Sequence, residues 1–155
     1  MKTRTIVMTL ALCFFAATVC FASDDAQMGT WKLNEGKSKL APGAAKNNTV
    51  IYAAAGDQVK VTVDGTDADG KPTHNEWTGK FDGKDYPVTG DPNSDMRSYK
   101  KVNDRTMELT VKKGGKVTTT GRIVVAADGK SRTVTTNGTD AKGNKTKSTA
   151  VYDHQ

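Results

Sequence analysis

The chain has 155 residues, of which 35% are hydrophobic, and a formal net charge of +6 at pH 7. This length supports one hydrophobic core but not two domains of ordinary size. The basic residues are scattered among aspartates, without a basic stripe that carries interleaved aromatic side chains. The composition therefore argues against a nucleic-acid-binding protein.

The first 22 residues have the arrangement of a secretory signal peptide. Lys2 and Arg4 precede an uncharged, mostly apolar run, which ends in small residues and is followed by a polar start. We therefore predict a signal peptide over residues 1–22, a single mature domain over residues 23–155, and a periplasmic or secreted location. A membrane anchor and lipidation at Cys20 are the alternatives. Because the apolar run is short for a membrane span, we predict none.

Cleavage at this point would remove both cysteines of the chain, Cys13 and Cys20. The mature domain would then have no disulfide, no thiolate metal ligand and no cysteine nucleophile. Its net charge would be +4, since 21 basic residues would remain against 17 acidic ones. A charge of this sign favours weak affinity for an anionic polymer of the cell envelope.

The mature sequence consists of short alternating runs separated by turns that are rich in glycine, aspartate and asparagine. In residues 58–63 (QVKVTV), the valines fall on one face and the polar side chains on the other, which predicts a strand with one buried face. The same alternation puts Val117, Ile123 and Val125 on one face of a later strand. One helical turn is expected in residues 40–46. The predicted strands lie near residues 30–34, 48–54, 58–64, 73–81, 84–88, 94–102, 105–113, 116–126, 131–137 and 146–153.

A meander of this length exposes two sheet edges unless its first and last strands pair with each other. Both ends of the mature chain, TWKLN and STAVYDHQ, have strand-like sequence, as closure requires. We therefore predict an all-β fold, a single up-and-down antiparallel barrel of about eight to ten strands. An open sandwich of two sheets is the alternative. The interior side chains are small and partly hydroxylated, so both a filled and a hollow barrel remain open.

The stretch VTVDGTDADGKPT (61–73) has three aspartates around two glycines, which raises the question of a calcium loop. Shifting the sequence by 73 residues aligns it with VTTNGTDAKGNKT (134–146), and residues 48–78 then share 11 identities with residues 121–151. In the second copy a lysine, Lys142, replaces Asp69, although calcium prefers several oxygen ligands. The pattern predicts a duplicated three-strand unit with a plain hairpin connection and no metal site.

The sequence has no recognisable catalytic motif, and we predict that the protein is not an enzyme. His74 and Glu76 alternate along a strand and are the one pair suited to acid–base chemistry, but a solvent-facing polar pair is the simpler interpretation. The only other histidine, His154, is next to the last residue, where chain ends usually fray. No cofactor is predicted.

The segment GTWKLN (29–34) carries a resemblance to a known group of proteins. Gly29 and Trp31 form a G-x-W on the first strand, and with the β meander and the closing VYDHQ this resembles the calycin superfamily, which contains lipocalins and fatty-acid-binding proteins. The resemblance implies a lipocalin-like barrel in which the tryptophan plugs one end and an arginine, Arg122 or Arg132, covers it. The chain also looks like uncharacterised exported bacterial proteins that carry GTWKLN and DGKDYPVTG.

The departures from this resemblance limit what it implies about a ligand. Fatty-acid-binding proteins have an arginine two places before a tyrosine to hold a carboxylate, whereas this chain has Ala150 before Tyr152, so neutral ligands are expected to bind better than anionic ones. Residues 35–47 are too few for a helical lid. Trp77 is predicted to point inward beside Gly79, which would leave space for a ligand. The candidate ligand-binding residues are Trp77, Phe81, Tyr152 and Arg122.

Two functions remain open on this interpretation. The first is a binding module for a small apolar or amphipathic molecule outside the cytoplasm. The second is a structural or interaction protein of the cell envelope, with a filled core and a basic exterior that contacts an anionic polymer or a partner. A monomer is expected in either case.

Overall fold

The computed structural model describes residues 25–139 and 143–155, and it contains ten strands at the predicted places. The predicted signal peptide, residues 1–22, lies outside the described residues. The strands are β1 (Gly29–Leu33), β2 (Lys46–Ala55), β3 (Gln58–Thr66), β4 (Pro72–Gly79), β5 (Tyr86–Thr89), β6 (Met96–Asn103), β7 (Thr106–Lys113), β8 (Lys116–Val125), β9 (Ser131–Thr139) and β10 (Lys145–His154).

The strands form one closed antiparallel barrel in which each strand pairs with its neighbours in sequence and β1 pairs with β10. Trp31 of β1 lies opposite Val50 of β2 on one side and opposite His154 of β10 on the other. The closed barrel confirms the predicted all-β fold, and the sandwich alternative is wrong. Closure satisfies the backbone groups that the terminal strands of an open meander would leave unpaired.

Alternation along each strand sorts the side chains between the interior and the solvent. In β3, Val61 and Val63 are buried, while Lys60 and Thr62 between them lie on the outer face. The same rule places Val50 and Tyr52 of β2, and Ile123 and Val125 of β8, in one continuous core. Burial of this inner face is the main source of stability for a chain without cysteines in its folded part.

Two local expectations were wrong. The one helical turn spans Glu35–Lys37, where the Asn34 side chain accepts a hydrogen bond from the Lys37 amide, and residues 40–46 form no helix. Val117 is 55% exposed, because the register between β7 and β8 slips by one residue after Val111. Such a bulge turns the following side chains to the other face of the sheet, and alternation alone cannot locate it.

The predicted duplication is visible in the strand positions. β3 and β9 begin 73 residues apart, at Gln58 and Ser131, and β4 and β10 begin at Pro72 and Lys145, which are also 73 apart. The stretch 61–73 is therefore the end of β3, a turn and the start of β4, as predicted. The Asp67 carboxylate shapes the turn by accepting hydrogen bonds from the amides of Asp69 and Lys71, both at 2.9 Å.

Candidate functional site

One end of the barrel is closed by Trp31. Its ring is fully buried, and its indole N–H donates a 2.8 Å hydrogen bond to the backbone oxygen of Gln27. The imidazole of His154 stacks on it with 4.4 Å between ring centroids. Gly29 has a φ of 101°, and a Cβ there would collide with the His154 ring, so the glycine of the G-x-W is required on both counts.

His154 is not frayed, contrary to the expectation for a residue so close to the chain end. Its amide donates a 2.9 Å hydrogen bond to the backbone oxygen of Lys130, and the next residue, Gln155, bonds to Thr30 at 3.0 Å. Pairing of β10 with β1 is what holds the chain end in place. Barrel closure therefore orders a residue that sequence position alone predicts to be mobile.

The arginine that covers Trp31 is Arg132. Its guanidinium carbon lies 4.7 Å from the centroid of the Trp31 ring, 4.8 Å from that of Tyr52 and 5.0 Å from that of Tyr152. The residue is only 2% exposed, and neither its Nε nor its Nη1 has a hydrogen-bond partner. We call these four residues the arginine cage.

Arg122 does not enter the barrel. It lies between the inward-facing Gly121 and Ile123 on β8, so its exposed side chain is on the outer surface, where it lines a shallow depression of about 560 Å³. Of the two arginines that the resemblance implied, only Arg132 has the right face of its strand. Arg122 is therefore not positioned to contact a ligand inside the barrel.

The phenols of the arginine cage are neutral at physiological pH. Burial, followed by the nearby Tyr99 phenol, raises the pKa of Tyr52 well above its usual value, although Arg132 acts in the opposite direction. Burial also raises the pKa of Tyr152 to about 12, against the same opposing effect of Arg132. Both effects arise because a phenolate is poorly solvated in the barrel interior. The tyrosines therefore act as hydrogen-bonding groups and not as counter-ions to Arg132.

A layer of aromatic rings fills the interior beside the cage. Trp77 is 1% exposed, donates a 2.8 Å hydrogen bond to the Arg97 backbone oxygen, and stacks on Phe81 with 6.4 Å between centroids. The space expected beside Gly79 is absent, because a Cβ there would overlap the Tyr86 ring. Trp77 and Phe81 thus point inward as predicted, but neighbouring rings occupy the gap that was assigned to a ligand.

The inner face is less enclosed on the opposite side of the barrel. Leu33, Leu109 and Val134 pack against the core but are only half-buried. The Leu109 and Thr136 side chains reach over Gly121 on the inner face, at 3.5 and 3.1 Å from where its Cβ would be. The ends of β8, β9 and β10 that lie farthest from Trp31 form an open depression of about 440 Å³. We call Leu33, Leu109, Val134 and Thr136 the inner wall.

The polar pair predicted on β4 lies on the outer surface. His74 Nδ1 is 2.6 Å from an Asp64 carboxylate oxygen, and its Nε2 is 3.7 Å from Glu76, which also pairs with Lys60 at 2.6 Å. The hydrogen bond to Asp64 raises the pKa of His74. His74 and Glu76 therefore share a face, as predicted, in an exposed cross-strand network. Across residues 25–139 and 143–155, no group of three His, Cys, Asp or Glu side chains could hold a metal ion.

No protein-family model and no curated protein matches the chain. Among solved structures, it is similar to EF1p2_mFAP2b bound to DFHBI, with 11% identity over 84% of this chain and 94% of the other, and a TM-score of 0.47. It is also similar to a redesigned β-barrel, mFAP1, bound to DFHBI, with 18% identity over 85% of this chain and 100% of the other, and a TM-score of 0.43. A de novo designed fluorescence-activating β-barrel gives 14% identity over 85% of this chain and 98% of the other, and a TM-score of 0.38. Scores at this level are too low to carry a function from those barrels to this chain. None of the described helices is long and apolar enough to cross a membrane.

Proposed function

We propose that this protein is an exported binding module for a small amphipathic molecule, which it holds inside the barrel against the inner wall. The observation that carries the proposal is the incomplete burial of that wall. Leu33, Leu109 and Val134 face inward but stay half-buried, whereas Val61, on the opposite side of the interior, is fully enclosed. Apolar side chains that line a concave space, with a few polar groups among them, are typical of small-molecule sites.

The filled part of the barrel limits the size of the ligand. The rings of Tyr52, Trp77, Phe81 and Tyr99 contact one another, with centroids between 4.8 and 6.4 Å apart for each neighbouring pair. They leave only the inner wall to a guest. A single short chain or one ring system fits this space better than a large lipid. Access is from the end of the barrel opposite Trp31, where the depression between β8, β9 and β10 opens.

A pair of neighbouring substitutions on β9 tests this proposal. Thr136 faces the inner wall, while Thr135 faces the outer depression. We expect Thr136→Phe to fill the ligand space and weaken the binding of decanol and decanoate by about tenfold or more, a loss of about 1.4 kcal/mol. Thr135→Phe is the matched control and should bind as the wild type does. Native mass spectrometry and titration calorimetry measure both. Equal binding by the two variants, or no binding by the wild type, would contradict the proposal.

Export and family belong to the same proposal. The G-x-W glycine, the plug at Trp31 and the cover at Arg132 support a calycin-like barrel of the exported type that the sequence resembles. We propose that the host removes residues 1–22 and releases the domain outside the cytoplasm. N-terminal sequencing of protein from the native host should therefore begin at Ser23. An intact Met1 or an acylated Cys20 would contradict export by this route.

The envelope-polymer function is not favoured by the surface. Many outward-facing lysines already have carboxylate partners, which weakens the field that a basic exterior would present to an anionic polymer. Catalysis is not proposed either, because the His74 network is open to solvent and lies away from the inner wall. The lysine pairs are Lys46–Glu35, Lys60–Glu76, Lys80–Asp57, Lys101–Asp25 and Lys112–Asp85.

A further inference from the structure

We propose that the ligand carries an anionic head group and that Arg132 receives it at the floor of the barrel. This inference rests on the proposed function, since it names the class of ligand for that site. It reverses the expectation, drawn from Ala150, that neutral ligands bind better.

Arg132 is a buried charge without a counter-ion. It is 2% exposed, and across residues 25–139 and 143–155 no carboxylate forms an ion pair with it. Arg97, the other buried arginine of the described chain, instead bonds to Asn75 at 3.2 Å and lies 3.8 Å from an Asp91 carboxylate oxygen. Burial of an unpaired charge is costly, and the three rings around Arg132 offset only part of this cost.

Two of the donors on Arg132 have no acceptor. Its Nε and Nη1 are sealed from solvent and make no hydrogen bond, whereas nearly all buried polar groups in folded proteins have a partner. Both donors belong to a group that stays protonated at any physiological pH. What the site lacks is therefore a negatively charged acceptor, because an anion would supply both the hydrogen bonds and the missing charge.

The neighbours of Arg132 do not supply that acceptor. Burial keeps the Tyr52 and Tyr152 phenols protonated, so neither provides a negative charge. Trp31 already uses its N–H on the Gln27 backbone, and an indole accepts no hydrogen bond in its plane. A carboxylate that enters the cage would meet only hydroxyl and guanidinium donors.

The cage and the inner wall are contiguous. Val134 follows Arg132 by two residues on the same face of β9, and Leu33 lies opposite Tyr152 in the β1–β10 pair. A head group at Arg132 thus places an apolar tail against the inner wall. Because the rings seal both donors, the head group reaches them only when one ring rotates. A monoanion with a short apolar tail satisfies all of these conditions.

The first test compares decanoate with decanol, which has the same chain length but no charge, on the wild-type protein at pH 7.5. We expect decanoate to bind at least about tenfold more tightly. We also expect it to shift the 15N and 1H resonances of the Arg132 Nε–H group, which decanol should leave in place. A role of Arg132 in packing alone would produce neither result.

The second test removes the charge. Arg132→Met should abolish the preference for decanoate while keeping decanol binding, and Arg122→Met, on the outer surface, should leave the preference intact. If Arg132→Met does not fold, the Nε–H shift in the wild type decides. Equal affinity for the two compounds, a preference that persists in Arg132→Met, or an unmoved Nε–H resonance would overturn the anionic ligand while leaving the binding module standing. Binding of neither compound would overturn both.

Discussion

At the scale of single residues, Trp31 is the side chain on which the closed end depends. It contacts His154 on one strand and Arg132 on another, and it anchors the segment before β1 through Gln27. The G-x-W motif predicted this plug, but it left the choice of arginine open. Strand parity decides the choice: Arg132 shares its face with Val134, whereas Arg122 lies between two inward-facing residues.

Truncation of Trp31 should therefore be severe. Trp31→Ala would open a cavity and expose the guanidinium of Arg132 to it, and the loss of a buried tryptophan costs about 3–5 kcal/mol. Trp31→Phe should cost clearly less, because it keeps a ring over Arg132. Urea unfolding followed by circular dichroism measures both. An unfolding midpoint of Trp31→Ala equal to that of the wild type would show that the G-x-W residues do not close the barrel.

His74 should give the protein a small dependence of stability on pH. Its hydrogen bond to Asp64 raises its pKa in the folded state above the value in the unfolded chain. The stabilisation is thus complete below the unfolded pKa of about 6.5 and is lost as the pH rises through the higher folded value. The His74 imidazole should titrate above its usual pKa by NMR, and Asp64→Asn should lower that value. An unchanged titration in Asp64→Asn would show that the pair does not form in solution.

At the scale of elements, the positions of the strands follow from the sequence because alternation and turn residues are local signals. All ten strands lie where alternating faces and Gly, Asp and Asn turns predicted them. What failed depends on pairing between strands. The bulge that exposes Val117 comes from the β7–β8 register, and the Tyr86 ring that fills the space beside Gly79 comes from β5. Neither contact has a signature within its own strand.

The β3–β4 hairpin should be stable without calcium. The Asp67 carboxylate is already used by two backbone amides of the turn, and Asp64 is paired with His74. Asp67→Ala should therefore lower stability by about 1 kcal/mol, while Asp69→Lys, which copies the second repeat, should leave the melting temperature unchanged. Scanning calorimetry with chelator and with millimolar calcium checks this. A rise in melting temperature with calcium that Asp69→Lys abolishes would restore the calcium loop.

At the scale of the whole molecule, the duplication explains how the barrel is both filled and open. The two repeats, β2–β4 and β8–β10, are separated by β1 on one side and by β5–β7 on the other. At equivalent positions 73 residues apart, the first repeat has Trp77 and Gly79 and the second has Ala150 and Tyr152. Large and small residues are thus exchanged between the repeats, which fills the Trp77 side and places Arg132 and Tyr152 beside the half-buried wall.

Much of the candidate site could not be predicted from the sequence for the same reason. Trp77, Phe81 and Tyr152 were predicted to point inward, and they do. The arginine cage brings together Trp31, Tyr52, Arg132 and Tyr152 from β1, β2, β9 and β10, and only closure of the barrel makes these strands neighbours. Alternation did place Tyr52 on the same face as Val50, so that signal was present but not distinctive.

The central claim is that a small molecule lies against the inner wall, and methyl NMR during titration with decanoate tests it most directly. The account predicts chemical-shift changes at the methyl groups of Leu33, Leu109 and Val134, with Val117 and Val124 on the exposed surface as internal controls that stay in place. Shifts confined to Val117 and Val124, or no shift at any of the five residues, would contradict it.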